Sequence, residues 1–534
     1  MTYFEVQPNE KLAVFEPSDI RNIPTPITAS LHLRNEQLTQ SLIIISSVSL
    51  KSQAERLANH KNSIGISSKV VTLPEVFDAF GYGTYDITAI RNFLSYHYLN
   101  NGQIKNVLFF GKGTIDYKTK IAGGRPNLVP SYSSRSSLNP LSTYSSDDYF
   151  GFLEIGQGEW EENNSGDETL KIGVGRIPAI NIQEAREAVD KIIAYETKTE
   201  NQGDWKRKIA FFADDGDNNI HLNDAESHAR YLTENHPEYI VEKLYLDRFE
   251  QVRNDGRQSS PQAKEALQKT IKDGALILNY VGHGNETTLT AERVFQTSDL
   301  RDWVDNPLLP LVVTATCEFG RHDSPFVRSG AEEMLFAENK GAIALLTTGR
   351  PVFSSSNFAL NKAFVEAVFQ KENGENLDLG EIFKRTKNNS SNGAFNRNFS
   401  LLGDPSLKLA IPELSSDVKE VMDIDLEMEV DTIRAMQKII VRGKIIDPLT
   451  QSSILNAKGS YKLVLFDKKE TRQTLGDESS QVNFEVEGNI LFQGIGDINN
   501  GGFETEIFIP QNIRTEFGEG LIRVFAELDN NQEA

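Results

Sequence analysis

The stretch Ala275-Leu276-Ile277-Leu278-Asn279-Tyr280-Val281-Gly282-His283-Gly284 decides how this chain reads. An apolar run of strand length ends in a histidine held between two glycines. A second run, LLPLVVT over 308–314, leads through Ala315 and Thr316 into Cys317-Glu318-Phe319-Gly320. Cys317 is the single cysteine among 534 residues and lies 34 residues beyond His283. Short apolar runs bounded by turn residues are the signature of strands buried on both faces. If the two strands are parallel neighbours, imidazole and thiol emerge at one sheet edge. In open α/β sheets that edge is where ligands bind. A thiol and an imidazole there are the parts of a cysteine nucleophile and its base. The backbone N–H groups of Gly284 and Cys317 would form the oxyanion hole. Against this stand two plainer readings: a lone cysteine is often a buried small hydrophobe, and a histidine between glycines suits a turn.

Working outward, apolar runs alternate with helical patterns. Leu42–Ile45, Lys69–Thr72 and Val107–Phe110 read as strands, and Asp86 is an N-cap ahead of ITAIRNFLSYHYL. Lys208–Phe212, Tyr239–Tyr245 and Ala342–Thr347 repeat the pattern around the His and Cys strands. Such alternation predicts a parallel, helix-covered sheet. Residues 122–146, rich in Pro, Ser and Gly, read as a surface loop, and 147–177 as a hairpin with a solvated tip. Beyond about Leu414 the period becomes two, with no helical pattern, which predicts a β-sandwich of immunoglobulin-like size. The expected organisation is an extended segment over 1–40, α/β subdomains over 41–203 and 204–413, and the sandwich over 414–534.

Net charge is −21, from 55 basic and 76 acidic residues, which argues against nucleic acid as the main partner. Hydrophobic content of 39% and charged content of 25% are those of a globular protein, and no run of 18 apolar residues occurs. The N-terminal MTYFEVQPNEKLAVFEP carries no visible signal peptide, and the chain reads as a fragment of something longer.

A Cys–His pair needs a group to orient the imidazole. Asp214 and Asp215, in Ala213-Asp214-Asp215-Gly216-Asp217-Asn218-Asn219, end a strand in the same half as His283. DDGDNN also reads as a solvated turn, or as a loose Ca²⁺ loop without EF-hand spacing. Asp147 and Asp148 read as an exposed hairpin start. His322 reads as leading away from the thiol. His221 and His228, seven apart, lack two further ligands for zinc. Gly111-Lys112-Gly113-Thr114 lacks phosphate-loop spacing and reads as a turn.

NYVGHGNET at 279–287 and TATCEFGR at 314–321 resemble the His and Cys motifs of the gingipain family of cysteine peptidases. DITAIRNFL (86–94), SSDDYFG (145–151), GRIPA (175–179), GAIALLTTGRPVFSSSN (341–357) and LLGDPSLKLA (401–410) resemble one branch of it, the surface signal peptidase and sortase of type IX secretion. The resemblance implies a caspase-like α/β catalytic domain of two subdomains followed by an all-β immunoglobulin-like sandwich. It implies Cys317 as nucleophile, His283 as base, Gly284 as oxyanion donor, and Asp215 as the acidic third residue with Asp214 as fallback. The implied substrate is the C-terminal signal domain of secreted cargo, removed by hydrolysis or by transfer to an amine of anionic lipopolysaccharide. Other surface secretion components are implied partners, and the implied location is the cell surface at the outer membrane. No cofactor is required for such chemistry. Structural Ca²⁺ is compatible with the family, though its sites do not map onto residues here. The alternatives are a non-catalytic surface scaffold that binds cargo or secretion partners, and a cytosolic caspase-like regulatory protease.

Overall fold

The structure, a computed structural model, describes residues 16, 32–136, 138–139, 141–157, 169–197, 201–254, 257–391 and 393–534. The expected extended segment over 1–40 falls almost wholly outside them. What is described of it includes one helical turn, His32–Asn35.

Ten strands form the central sheet: β1 Leu42–Ser46, β2 Ser68–Thr72, β3 Asn106–Phe110, β4 Gly173–Ile177, β5 Lys208–Ala213, β6 Ile240–Tyr245, β7 Ile277–Val281, β8 Leu311–Ala315, β9 Ala344–Thr348 and β10 Phe399–Leu402. Their order is β2-β1-β3-β4-β10-β9-β8-β7-β5-β6. Seven of them, β1, β3, β4, β7, β8, β9 and β10, are buried at every position, because helices cover both faces. The sheet is mixed rather than wholly parallel. β10 runs antiparallel to β9 and pairs in parallel with β4, so the two halves of the sheet run in opposite directions. The direction changes between β10 and β9, while β10 joins β4 through a single pairing, Leu402 with Arg176.

The covering helices are α1 Lys51–Ser63, α2 Leu73–Phe80, α3 Ile87–Asn101, α4 Ile182–Thr197, α5 Ile220–Asn235, α6 Pro261–Asp273, α7 Gly330–Phe336, α8 Ser354–Ala367 and α9 Leu379–Asn388. Asp86 caps α3 through Thr88 N–H, as its sequence suggests, and Gly102 ends the helix in the left-handed region. Among the described residues, no helix is long and apolar enough to cross a membrane.

The hairpin expected over 147–177 does not form. Asp148–Gly151 makes one tight turn, and β4 leaves to join the main sheet beside β3. The reason is electrostatic. Arg176, 1% exposed, meets Asp147 in a bidentate pair at 2.6 and 2.7 Å, and its remaining N–H groups reach the carbonyls of Gly111, Val129 and Pro130. Asp148 is likewise buried, against Lys387 at 2.9 Å and Arg397 at 3.2 Å. Neither aspartate is the exposed hairpin start that its neighbours suggest. Lys112, in the presumed turn, is also fully buried and pairs with Glu332 at 2.5 Å.

Beyond Leu414 the chain is antiparallel. β11 Ser415–Asp423, β12 Lys438–Ile446 and β15 Gly502–Phe508 form one sheet with the short strand Met428–Glu429. β13 Gly459–Phe466, β14 Ile490–Ile498 and β16 Leu521–Leu528 form another. Ile439 and Val441 from the first, with Leu463, Leu465 and Ala526 from the second, enter a hydrophobic cluster separate from the main one.

Candidate active site

β7 lies between β5 and β8, parallel to both, with Val281 opposite Ala315 on one side and Ala213 on the other. His283 and Cys317 each stand two residues past that paired position. Asp214 and Asp215 stand one and two past it. Four chemistry-bearing side chains therefore leave three adjacent strands at their carboxyl ends.

The loop after β7 approaches its neighbours closely. A Cβ at Gly282 would stand 2.3 Å from the Asp214 Cβ and 2.6 Å from the Tyr280 hydroxyl, so only glycine fits. Gly284 faces Thr316 across the gap, where a Cβ would meet Thr316 Oγ1 at 2.7 Å. Gly284 bridges Leu289, but the hydrogen bonds that close this bridge come from Asn285 and Thr290. The Gly284 N–H takes no part in it. Behind the loop, buried Asn279 of β7 and Asn361 of α8 exchange amide hydrogen bonds at 2.8 and 2.9 Å, which satisfies both in the core.

Cys317 is partly exposed, with Sγ 3.8 Å from the Val352 carbonyl. Glu318 follows it at φ +56°, a conformation unusual for a non-glycine residue, which turns the chain sharply after the thiol. Arg321 ties the two loops together: its guanidinium reaches Glu286 of the His loop at 2.9 Å and Glu318 at 3.2 Å. His322 is buried away from the surface, its Nδ1 3.2 Å from the Gly320 carbonyl.

The imidazole of His283 is exposed, and its Nε2 lies 2.7 Å from Asp217 Oδ2. The carboxylate on the ring is thus Asp217, two residues beyond Asp215. Asp214 Oδ2 accepts the His283 backbone N–H at 2.9 Å. The Asp215 carboxylate instead accepts from Gln251. Backbone geometry causes this distribution. Gly216 has φ +71°, and Asp217, Asn218 and Asn219 follow at φ +43°, +56° and +64°, so the chain curls back and delivers Asp217 to the ring. Asp217 stood in the quoted sequence, but nothing in its spacing singled it out.

Helix α5 adds His221, buried and edge-on to His283 with ring centroids 4.9 Å apart. Burial first, and then the neighbouring imidazole, lower His221 to about 4, so it is neutral near pH 7. Asp214 is raised to about 7 by burial, a rise opposed by the His283 N–H and increased by Asp215 and Glu292. Asp215 is raised to about 7 by burial and then by Glu292. Two groups in this region have the donors to hold a cation: Asp217, His221 and His283, and the buried trio Asp214, Asp215 and Glu292. His228 is stacked on Phe358 and belongs to neither.

The family model for peptidase family C25 matches residues 35–410, which contain the whole ten-stranded sheet. The chain belongs to peptidase family C25. As a C25 member it is a cysteine peptidase with a gingipain-like α/β fold. The RgpB pro- and mature-domain complex of Porphyromonas gingivalis is similar at 16% identity and a TM-score of 0.54, over 90% of this chain and 99% of that one. The Arg-specific cysteine proteinase gingipain R (RgpB) is similar at 15% identity and a TM-score of 0.54, over 87% and 100%. Dimeric latent PorU from Porphyromonas gingivalis is similar at 20% identity and a TM-score of 0.44, over 94% of this chain and 42% of that one. No curated protein sequence matches the chain.

Proposed function

We propose that this C25 peptidase cleaves the C-terminal signal domain from secreted cargo through a thioester on Cys317. The observation that carries the catalytic part is the shared edge of β7 and β8, which brings His283 and Cys317 to equivalent positions past a paired residue. His283 takes the thiol proton as Sγ attacks the scissile carbonyl. The oxyanion forms against the N–H groups of Gly284 and Cys317. The imidazolium then protonates the leaving amine, and the thioester remains. Water completes hydrolysis; an amine completes transfer. Asp217 orients the ring, and Asp214 fixes the loop through the His283 backbone. The resemblance favours Asp215 for the orienting role, whereas the hydrogen bond to the imidazole favours Asp217.

The choice of cargo rests on the sequence motifs shared with PorU, the type IX signal peptidase and sortase. SSDDYFG, GRIPA and LLGDPSLKLA lie in the α/β body and not in the Cys or His loops. With that reading come a cell-surface location, an amine of anionic lipopolysaccharide as acceptor, and an immunoglobulin-like sandwich over 414–534. Subdomains over 41–203 and 204–413 divide between β4 and β10, which share one pairing.

The test is cleavage of a cargo protein that carries its C-terminal signal domain, with and without a soluble amine. Cleavage at the domain boundary, with the amine captured on the new C-terminus, is expected. Cleavage that persists in Cys317→Ala overturns the mechanism. An intact signal domain alongside cleavage of unrelated substrates overturns the substrate class.

A further inference from the structure

We propose that Asp217, His221 and His283 form a reversible inhibitory site for a borderline divalent cation of the Zn²⁺ class. Binding is independent of the peptidase reading, whereas its effect on catalysis rests on His283 acting as the base. One ligand atom from each residue lies within 4.8 Å of the other two. Asp217 Oδ2 is the hub: it stands 2.7 Å from His283 Nε2 and 3.7 Å from His221 Nε2. The edge of a tetrahedron around Zn²⁺ with ordinary bond lengths is about 3.3 Å. That length falls between the two separations, so small side-chain rotations place the three atoms on one face of a coordination shell.

A second observation points into the same space. His221 is 6% exposed, and its Nε2 is buried without a hydrogen-bond partner. An unpaired ring nitrogen in the interior is unfavourable, and a coordination bond would satisfy it. The same atom is the one that approaches Asp217, so its free position opens towards the exposed side chains of Asp217 and His283, through which a cation can enter. In the sequence His221 lacks companions at zinc spacing. The fold supplies them: the curl before α5 brings Asp217 one turn ahead of it, and the loop after β7 brings His283. Two imidazoles and one carboxylate suit Zn²⁺ rather than Ca²⁺ or Mg²⁺, and three protein ligands leave the fourth position to water.

The chemical consequence follows from the imidazole itself. A neutral ring has one lone pair and one N–H. A cation on His283 Nε2 takes the lone pair and leaves the proton on Nδ1, so neither nitrogen can accept the proton of Cys317. Asp217 is converted at the same time from the group that orients the ring into a ligand of the cation. Removal of the cation restores both.

The test uses the full chain, freed of metal by a chelator, and reads binding apart from activity. Co²⁺, which takes Zn²⁺ sites and absorbs visible light when tetrahedral, is the probe, added to Cys317→Ala so that no thiolate can hold it. One equivalent is expected to bind with a tetrahedral spectrum, to be displaced by Zn²⁺ and to resist millimolar Mg²⁺. His221→Gln in that background is expected to bind at least about 10-fold more weakly, the loss that even an outer partner of a metal ligand produces. Asp217→Ala changes a side chain that is 57% exposed, so it spares the core, and it is expected to weaken binding likewise. With Cys317 intact, Zn²⁺ is expected to slow alkylation of the thiol at least about 10-fold, as removal of a general base does, and a chelator to reverse it. His221→Gln should then need more Zn²⁺ for the same slowing. No binding in Cys317→Ala, or binding unchanged in both His221→Gln and Asp217→Ala, overturns the site, and displacement by Mg²⁺ overturns the assignment to the Zn²⁺ class. Binding as expected with alkylation unaffected keeps the site and overturns the inhibitory role, and with it His283 as the base.

Discussion

His283 is held at two points by two aspartates with different tasks. Asp214 grips the backbone, and Asp217 grips the ring. The first sets where the loop sits and the second sets which way the imidazole faces. Loss of the ring contact should leave substrate binding intact and slow the chemistry. Asp217→Asn is expected to lower kcat about 10- to 100-fold with KM little changed, and Asp217→Glu to restore part of the loss. Asp215→Asn, assayed beside it, is expected to spare kcat, because its carboxylate faces Gln251. A fall in kcat for Asp215→Asn with none for Asp217→Asn would return the orienting role to Asp215. Gly282 carries a steric demand of the same importance. Gly282→Ala should displace the His loop, visible as slowed alkylation of Cys317 when a substrate-like haloketone is the probe, since its new methyl would overlap Asp214.

At the scale of the element, the strands were legible in the sequence and their charged fastenings were not. Continuous apolar runs such as Leu276–Leu278 and Leu311–Val313 read as buried strands, whereas their parallel pairing, which puts His283 and Cys317 at one edge, came from the fold. Charged residues carry no such signal, because most of them face water. Asp147 therefore reads as exposed, and nothing in the sequence marks Arg176, Asp323 or Arg350 as buried, yet all four are buried in pairs. Asp217 was hidden for a third reason, since its direction depends on a run of left-handed residues that spacing does not reveal. The pairs also tie together motifs remote from the Cys and His loops. GRIPA supplies Arg176 to the Asp147 of SSDDYFG, and LLGDPSLKLA supplies Asp404 to buried Lys61 at 2.7 Å. Removal of one partner leaves a buried charge alone, so Asp147→Asn is expected to cost about 3–5 kcal/mol in a chemical-denaturation measurement. The Asp323–Arg350 pair sets an acid limit. Burial alone would raise Asp323, but Arg350 outweighs it and lowers the carboxyl to about 2. A carboxylate held below its unfolded value adds stability that is complete above about pH 4 and fades as pH falls towards 2. Melting temperature against pH should show that loss in wild type and a flatter acid limb in Asp323→Asn/Arg350→Met.

Across the whole molecule, the all-β region is more than an appendage, because one of its hairpins returns to the active-site edge. Glu470–Gln473 pairs with Asn483–Val486, and Phe484 lies in the main hydrophobic core with its ring edge-on to Tyr245 of β6 at 5.2 Å. The connecting loop is fastened to Asp247, buried after β6, whose carboxylate accepts the N–H groups of Gly476 and Asp477 at 2.9 Å each. From there Ser480 offers its carbonyl to Asn219 Nδ2 at 2.7 Å, at the far end of the curl that delivers Asp217. Glu478 adds an ion pair to Arg253 at 2.9 Å. The polar sequence of this segment, TLGDESSQ, carries no apolar period, so its docking came from the fold alone. The contacts make the catalytic curl depend on a segment more than 250 residues away in the chain. Asp247→Ala removes the fastening without touching either candidate catalytic residue. It is expected to speed amide hydrogen exchange across both 214–221 and 474–482 and to lower kcat several-fold, while the alkylation site remains Cys317. Faster exchange confined to 474–482, with kcat unchanged, would show that the curl holds its shape without the hairpin.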